Sequence, residues 1–141
     1  GRAQYRGAEL EVQIDLGRGL SAKLSGQVAR GRALEDGEDA LWLDDVAPRS
    51  LAMVIRKQVL TKASVHLRVA AFGADNRPGP SEIPTPGYTV IDVGSGWWVT
   101  PHVELRASGR NLLNQAYYAS PDSRWVFAPG RSGSVTAVVQ F

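Results

Sequence analysis

The chain has 141 residues, 43% of them apolar, which suits one folded domain and is too much for a disordered segment. Its 16 basic and 14 acidic residues leave a net charge of +2 with no basic stripe of interleaved aromatics, so no nucleic-acid partner is expected. The lack of cysteine excludes disulfides, thiolate metal sites and thiol catalysis, and no run approaches the roughly 20 apolar residues of a transmembrane helix.

Ala8, Leu10, Val12, Ile14 and Leu16 alternate without a fault against Glu9, Glu11, Gln13 and Asp15, which predicts a strand with one apolar and one polar face. Gly17-Arg-Gly19 predicts a tight turn. Leu20 to Gly31 then repeats the pattern, with Leu20, Ala22, Leu24, Gly26 and Val28 opposed by Ser21, Lys23, Ser25 and Gln27. Arg32 to Ala47 breaks it with Glu35-Asp-Gly-Glu-Asp39 and Asp44-Asp45, an acidic loop without the glycine-spaced acids of a calcium site. The third strand, Ser50 to Val59, puts Lys57 on its apolar side near the end, where a long side chain can snorkel to headgroups.

After the short connection Leu60-Thr-Lys62, a fourth strand runs from Ala63 to Gly73, with Val65, Leu67 and Val69 opposed by Ser64, His66 and Arg68. Four prolines between Ala74 and Gly87 forbid a helix and mark a second long loop. Tyr88 to Val99 is the fifth strand, Thr100-Pro101 a turn, and Val103 to Arg110 the sixth strand; Asn111 to Gly130 reads as a third long connection. In the tail, Gly133, Val135, Ala137, Val139 and Phe141 share one side, and Ser134, Thr136, Val138 and Gln140 the other.

About ten residues per strand, tilted ~45°, cover roughly 25 Å, the height of a lipid-facing band. Short and long connections alternate, and the polar faces carry Glu9, Glu11, Asp15, Lys23, Arg56, Arg68, Asp92, Glu104, Arg106 and Arg110, as a wet lumen requires. The expected fold is all-β: an antiparallel up-and-down meander of about seven long strands, part of a transmembrane β-barrel touching outer-membrane lipid. A soluble all-β ligand-binding module with one wet sheet face, or a porin-type barrel without a plug, fits the same alternation, and both stay open at this point.

At the sixth strand the residues form a familiar set. Gly109-Arg-Asn-Leu-Leu-Asn-Gln-Ala-Tyr-Tyr118, then Ala128-Pro-Gly-Arg131 and a strand ending on Phe141, resembles the C-terminal signature of TonB-dependent outer-membrane receptors. Thr85-Pro-Gly-Tyr-Thr-Val-Ile-Asp92, Arg6-Gly-Ala-Glu-Leu-Glu11 and Ala47-Pro-Arg49 resemble strand entries of the same family, in the right order. The resemblance implies a barrel of about 22 strands in the bacterial outer membrane, plugged by an N-terminal domain. It would take up a scarce nutrient, an iron-siderophore or similar metal chelate, or another organometallic compound such as cobalamin. Residues 1–141 are then expected to be the C-terminal portion of the barrel domain, without the plug, with the TonB complex and the targeting signal served by a region upstream. By the same resemblance Phe141, Val139, Ala137 and Val135 form the signal read by the outer-membrane assembly machinery.

No ligand site is assigned by pattern. Tyr117, Tyr118, Trp125 and Phe127 are aromatics of the third connection that stack on a ligand or form an outer girdle. Arg106 and Arg110 beside Glu104 either guide an anionic ligand or pair with acids across the lumen. Trp97 and Trp98, next to a short turn, read as an interface belt. His66 and His102, with no second histidine at i+2 or i+4, read as polar-face residues and not as metal ligands. Gly94-Ser-Gly96 lacks the spacing of a nucleophile elbow, and no nucleophile–base pair, carboxylate dyad or phosphate loop occurs, so neither an enzyme nor a cofactor is expected.

Overall fold

The computed structural model describes residues 1–34, 41–120 and 126–141. Its strands are β1 (Arg2–Gly17), β2 (Leu20–Leu34), β3 (Ser50–Leu60), β4 (Ala63–Phe72), β5 (Tyr88–Thr100), β6 (Val103–Arg110), β7 (Tyr118–Ser120), β8 (Val126–Phe127) and β9 (Ser132–Val139). Seven form a single antiparallel sheet in the order β1-β2-β3-β4-β5-β6-β9, an up-and-down meander. The other two pair as a small hairpin, so the third long connection, expected to be plain loop, carries structure of its own.

The register joins like residues across the sheet. One row runs Ile14, Ala22, Ile55, Leu67, Val93, Gly109, Gly133; the adjacent row on the other face runs Asp15, Ser21, Arg56, His66, Gly94, Ser108, Ser134. Side chains alternate with a period of two, so a slip of one residue in any pairing would send a whole strand to the wrong face. The short turns prevent such slips. Each is preceded by a register shift, at Asp15/Gly17, Gln58/Leu60 and Trp98/Thr100, and each is tied down locally. Gly17 N–H donates to Asp15 Oδ1 at 2.8 Å, Gln58 Nε2 to the Leu60 carbonyl at 2.7 Å, and His102 N–H to Thr100 Oγ1 at 3.2 Å. Lys57 has a protein partner here: its Nζ donates to the Arg18 carbonyl in the neighbouring turn at 2.7 Å.

Strand ends differ from expectation mainly at the first hairpin, where β1 begins at Arg2 and not Ala8, and β2 reaches Leu34 and not Gly31. Pairing continues through Arg6↔Arg30 and Gln4↔Arg32 after the apolar alternation has stopped. The backbone ladder outlasts the hydrophobic signal because hydrogen bonding does not depend on which side chains the strand carries.

No second layer covers either face among the described residues. The only buried apolar residues there are Ala70 and Val90, and both lie on the polar face. Burial is inverted relative to a soluble sheet: Glu104 is 9% exposed, whereas Leu105 beside it is 37% exposed and Val135, across the ladder from Ala107, is 79% exposed. A sheet that curves toward barrel closure crowds the side chains on its concave side, so the more crowded polar face is taken as the inner one and the apolar face as the outer one.

Gly17 and Gly19 both have positive φ, but only at Gly19 would a Cβ meet a neighbour, Gln58 Cβ at 2.7 Å. Gly19→Ala should therefore cost about 2 kcal/mol and Gly17→Ala about 1 kcal/mol, read as lowered denaturant midpoints of the detergent-solubilised protein. Equal losses at the two positions would remove any role for the contact between turn and third strand.

Candidate functional site

The inner face is the candidate site. Six of its charges form three local pairs: Lys23 Nζ with Glu11 at 2.8 Å, Arg68 Nη1 with Asp92 at 2.9 Å, and Arg106 with Glu104, whose Oε2 accepts from Nε at 2.9 Å and Nη2 at 2.6 Å. Arg106 thus binds an acid two residues away on its own strand, which is the pairing alternative in a nearer form than one across the lumen. Arg110 lies on the same face at the end of β6, opposite Ser132. Glu9, Glu11, Gln27, Arg68 and Phe72 border an inner hollow of about 530 Å³. A larger depression, about 820 Å³, lies over Ser95, Ala107, Gly109 and Gly133 on the apolar outer face and offers few polar groups.

Asp92 is the hub at the long-loop end. One carboxylate oxygen accepts from Arg68 on β4, and the other accepts the backbone N–H of Asn111, just past β6, at 2.9 Å. Asn111 is buried and adopts positive φ, as does Asn114; asparagine tolerates that region better than most residues. The Asn111 side chain then closes the turn, accepting from Gln115 N–H and donating to the Gln115 carbonyl, both at 2.9 Å. Asn114 Oδ1 accepts the N–H of Arg131 at 2.9 Å, which anchors the entry to β9. The Gly-Tyr-x-x-x-Asp, Asn-Leu-Leu-Asn and Pro-Gly-Arg motifs, far apart in the chain, meet in a single hydrogen-bonded staple.

Beside this staple an aromatic ladder lies on the inner face: Phe72 stacks on Tyr88 with centroids 4.6 Å apart, and Tyr88 on Tyr117 at 4.2 Å. Tyr118 belongs elsewhere, stacked on Phe127 at 4.5 Å within the β7–β8 hairpin. The two tyrosines therefore stand in different stacks, and Trp125 lies outside the described residues. Trp97 pairs with Leu105 on the outer face and Trp98 with Glu104 on the inner one, the opposite sides that the alternation of the strand gives them. Val135, Ala137 and Val139 all face outward, and Phe141 follows the last strand with its side chain fully exposed.

His66 faces inward, over Gly94, where a Cβ would run into its imidazole, and Gly96 leaves room for the Glu104 carboxylate in the same way. That gives Gly94-Ser-Gly96 a packing purpose. His102 is in the β5–β6 turn and not on a strand face. Among the described residues no group of acids and histidines has the arrangement of a metal site. Sequence reasoning named Asp92 as a polar-face charge and as part of a motif, named Tyr88 in the motif at the start of its strand, and passed over Phe72. The signal for all three was their shared side of the alternation at the long-loop ends of β4 and β5.

Asp92→Ala should cost about 2 kcal/mol, since it strands both an arginine and a backbone N–H, whereas Asp92→Asn, which keeps an acceptor, should cost about half as much. Denaturant midpoints followed by the β-sheet circular dichroism signal measure this, and an Asp92→Ala protein of unchanged stability would refute the hub.

No family model and no curated protein matches the chain. Solved structures do. They include the copper transporter OprC, with a TM-score of 0.84 and 19% identity over 99% of this chain and 24% of that one. The ferric yersiniabactin uptake receptor FyuA from Yersinia pestis follows with 0.78 and 20%, over 99% of this chain and 24% of that one. The siderophore receptor PiuA from Acinetobacter baumannii gives 0.72 and 15%, over 97% and 22% respectively. The chain spans about a quarter of the length of each, none of them is described as an enzyme, and at these identities the likeness is one of fold. The fold is that of a barrel segment of a TonB-dependent receptor, the architecture to which the motifs around Asn111 and Arg131 had pointed.

Proposed function

We propose that residues 1–141 form the C-terminal portion of the barrel domain of a TonB-dependent outer-membrane receptor, and that the receptor imports a metal-bearing nutrient, an iron-siderophore or a similar chelate. The observation that carries this reading is the inverted burial of the two faces, kept in register over all seven strands of the sheet. A surface with Leu10, Leu51, Leu67 and Val135 exposed together is untenable in water and ordinary in hydrocarbon. It argues against the soluble module, which would need a second layer to cover these residues. Copper and siderophore uptake by the matched proteins supports the cargo class.

In this reading the short turns face the periplasm, and the long connections, the Phe72–Tyr88–Tyr117 ladder and the Asp92 staple face outside. The inner charges line a watered bore, where Arg68 is paired with Asp92. A plug domain and the segment that contacts the TonB complex belong to the remainder of the receptor. Outer-membrane assembly machinery would engage β9 through Val135, Ala137, Val139 and Phe141.

Arginine at Val12 or Leu67 should weaken insertion of the intact receptor by about 2–4 kcal/mol near mid-membrane, while arginine at Gln13 or His66 should do far less. Outer-membrane fractionation, with folded and heat-unfolded bands resolved on gels, reads the difference. Equal tolerance at the two sets of positions would mean that the faces are assigned the wrong way round.

A further inference from the structure

On β1 and β2 the outward face changes character beyond the apolar band. Ala8 pairs with Val28; the next outward pair toward the long loops is Arg6 with Arg30, then Gln4 with Arg32, then Arg2 with Leu34. These four arginines are exposed, and the ion pairs found among the described residues include none of them. Like charges placed directly opposite each other destabilise a strand pair, so Arg6 across from Arg30 is a standing cost that an anion between them would relieve.

Next to this rim is a cleft of about 280 Å³ bordered by Val28, Arg30, Trp42, Arg49 and Arg77. Trp42 forms a β-bridge with Arg32, and its ring lies under two guanidinium groups, Arg32 Cζ at 4.5 Å and Arg77 Cζ at 4.9 Å from the centroid. The carboxylate on the cleft wall, Asp75, is engaged by its own turn, where its Oδ1 accepts the N–H of Arg77 at 2.9 Å. Guanidinium groups bind phosphate in bidentate fashion, and a tryptophan beside an apolar band marks headgroup height. Val28, which belongs to the apolar outward row, also lines the cleft and gives it an apolar side that a free anion would not use.

We propose that this cleft is a lipid site: Arg30, Arg49 and Arg77 hold the phosphate-bearing headgroup of an outer-leaflet lipid whose chains run down the apolar face from Val28. The inference rests on the barrel reading, because headgroup height has meaning only if the apolar face meets lipid.

The test uses the intact receptor carrying this chain, inserted into phosphatidylcholine vesicles with and without lipid A, with bound lipid titrated by native mass spectrometry after extraction. The triple variant Arg30→Gln/Arg49→Gln/Arg77→Gln should bind lipid A at least about tenfold more weakly, at about one surface charge's worth of attraction or less per arginine, and still insert. Should the triple variant not insert, Arg77→Gln alone, on an exposed loop, should show about a threefold loss. Dephosphorylated lipid A should bind the wild type no better than lipid A binds the variant, and inorganic phosphate should not displace the lipid. Unchanged affinity in the variants, or displacement by inorganic phosphate at matched concentration, overturns the proposal. A wild type that inserts but holds lipid A no more tightly than phosphatidylcholine sinks this site alone, while one that does not insert at all sinks the barrel reading with it.

Discussion

The backbone ladder is the constraint on which everything else depends. In hydrocarbon an unpaired N–H or carbonyl has no water to turn to, so a chain that crosses with strands must pair every one of them with a neighbour. The meander meets this demand between its strands with tight turns that join each strand to the next and set the register, and it leaves one side of β1 and one side of β9 without a partner among the described residues. Once the register is set, a period of two does the rest: Leu67 and Val93 meet on one side, His66 and Gly94 on the other. Stability then comes from pairing and from the match of each face to its solvent, since the described residues contain almost no buried apolar core.

A sheet held in this way has a weak point where its long connections return to it, and there the structure concentrates polar contacts. Asp92 receives a side chain from β4 and a main-chain N–H from beyond β6, and Asn111 and Asn114 carry the link onward to the entry of β9. Three segments widely separated in sequence are thereby held at one height above the band. The stacked Phe72, Tyr88 and Tyr117 rings extend the same support across the inner face. The motifs that make the family resemblance visible are, physically, joints that keep the loop end of the sheet in register.

The outward face has two regimes. Along most of its height it exposes aliphatic residues, and above Ala8 and Val28 it turns to arginine without any break in the ladder. The same backbone therefore carries two kinds of outward surface, and in the barrel reading the change of side chains marks the upper limit of the lipid-facing band. This explains why β1 and β2 extend past the end of their hydrophobic pattern, and why the long side chains of the rim gather around Trp42.

The order of the strands, their alternation and the two chemically different faces were legible in the sequence, because a period of two is a local property that each strand carries for itself: Ala8 to Leu16 shows it with no reference to any partner. The tertiary structure decided what depends on neighbours. It determined that the polar face is the more crowded one, that Arg106 is held by Glu104, and that Tyr117 and Tyr118 serve different stacks. It also brought Asp92 to Asn111 and Arg77 to Trp42. Such meetings follow from register and from the return path of the loops, both of which are properties of strand pairs, and no single stretch of residues can encode them.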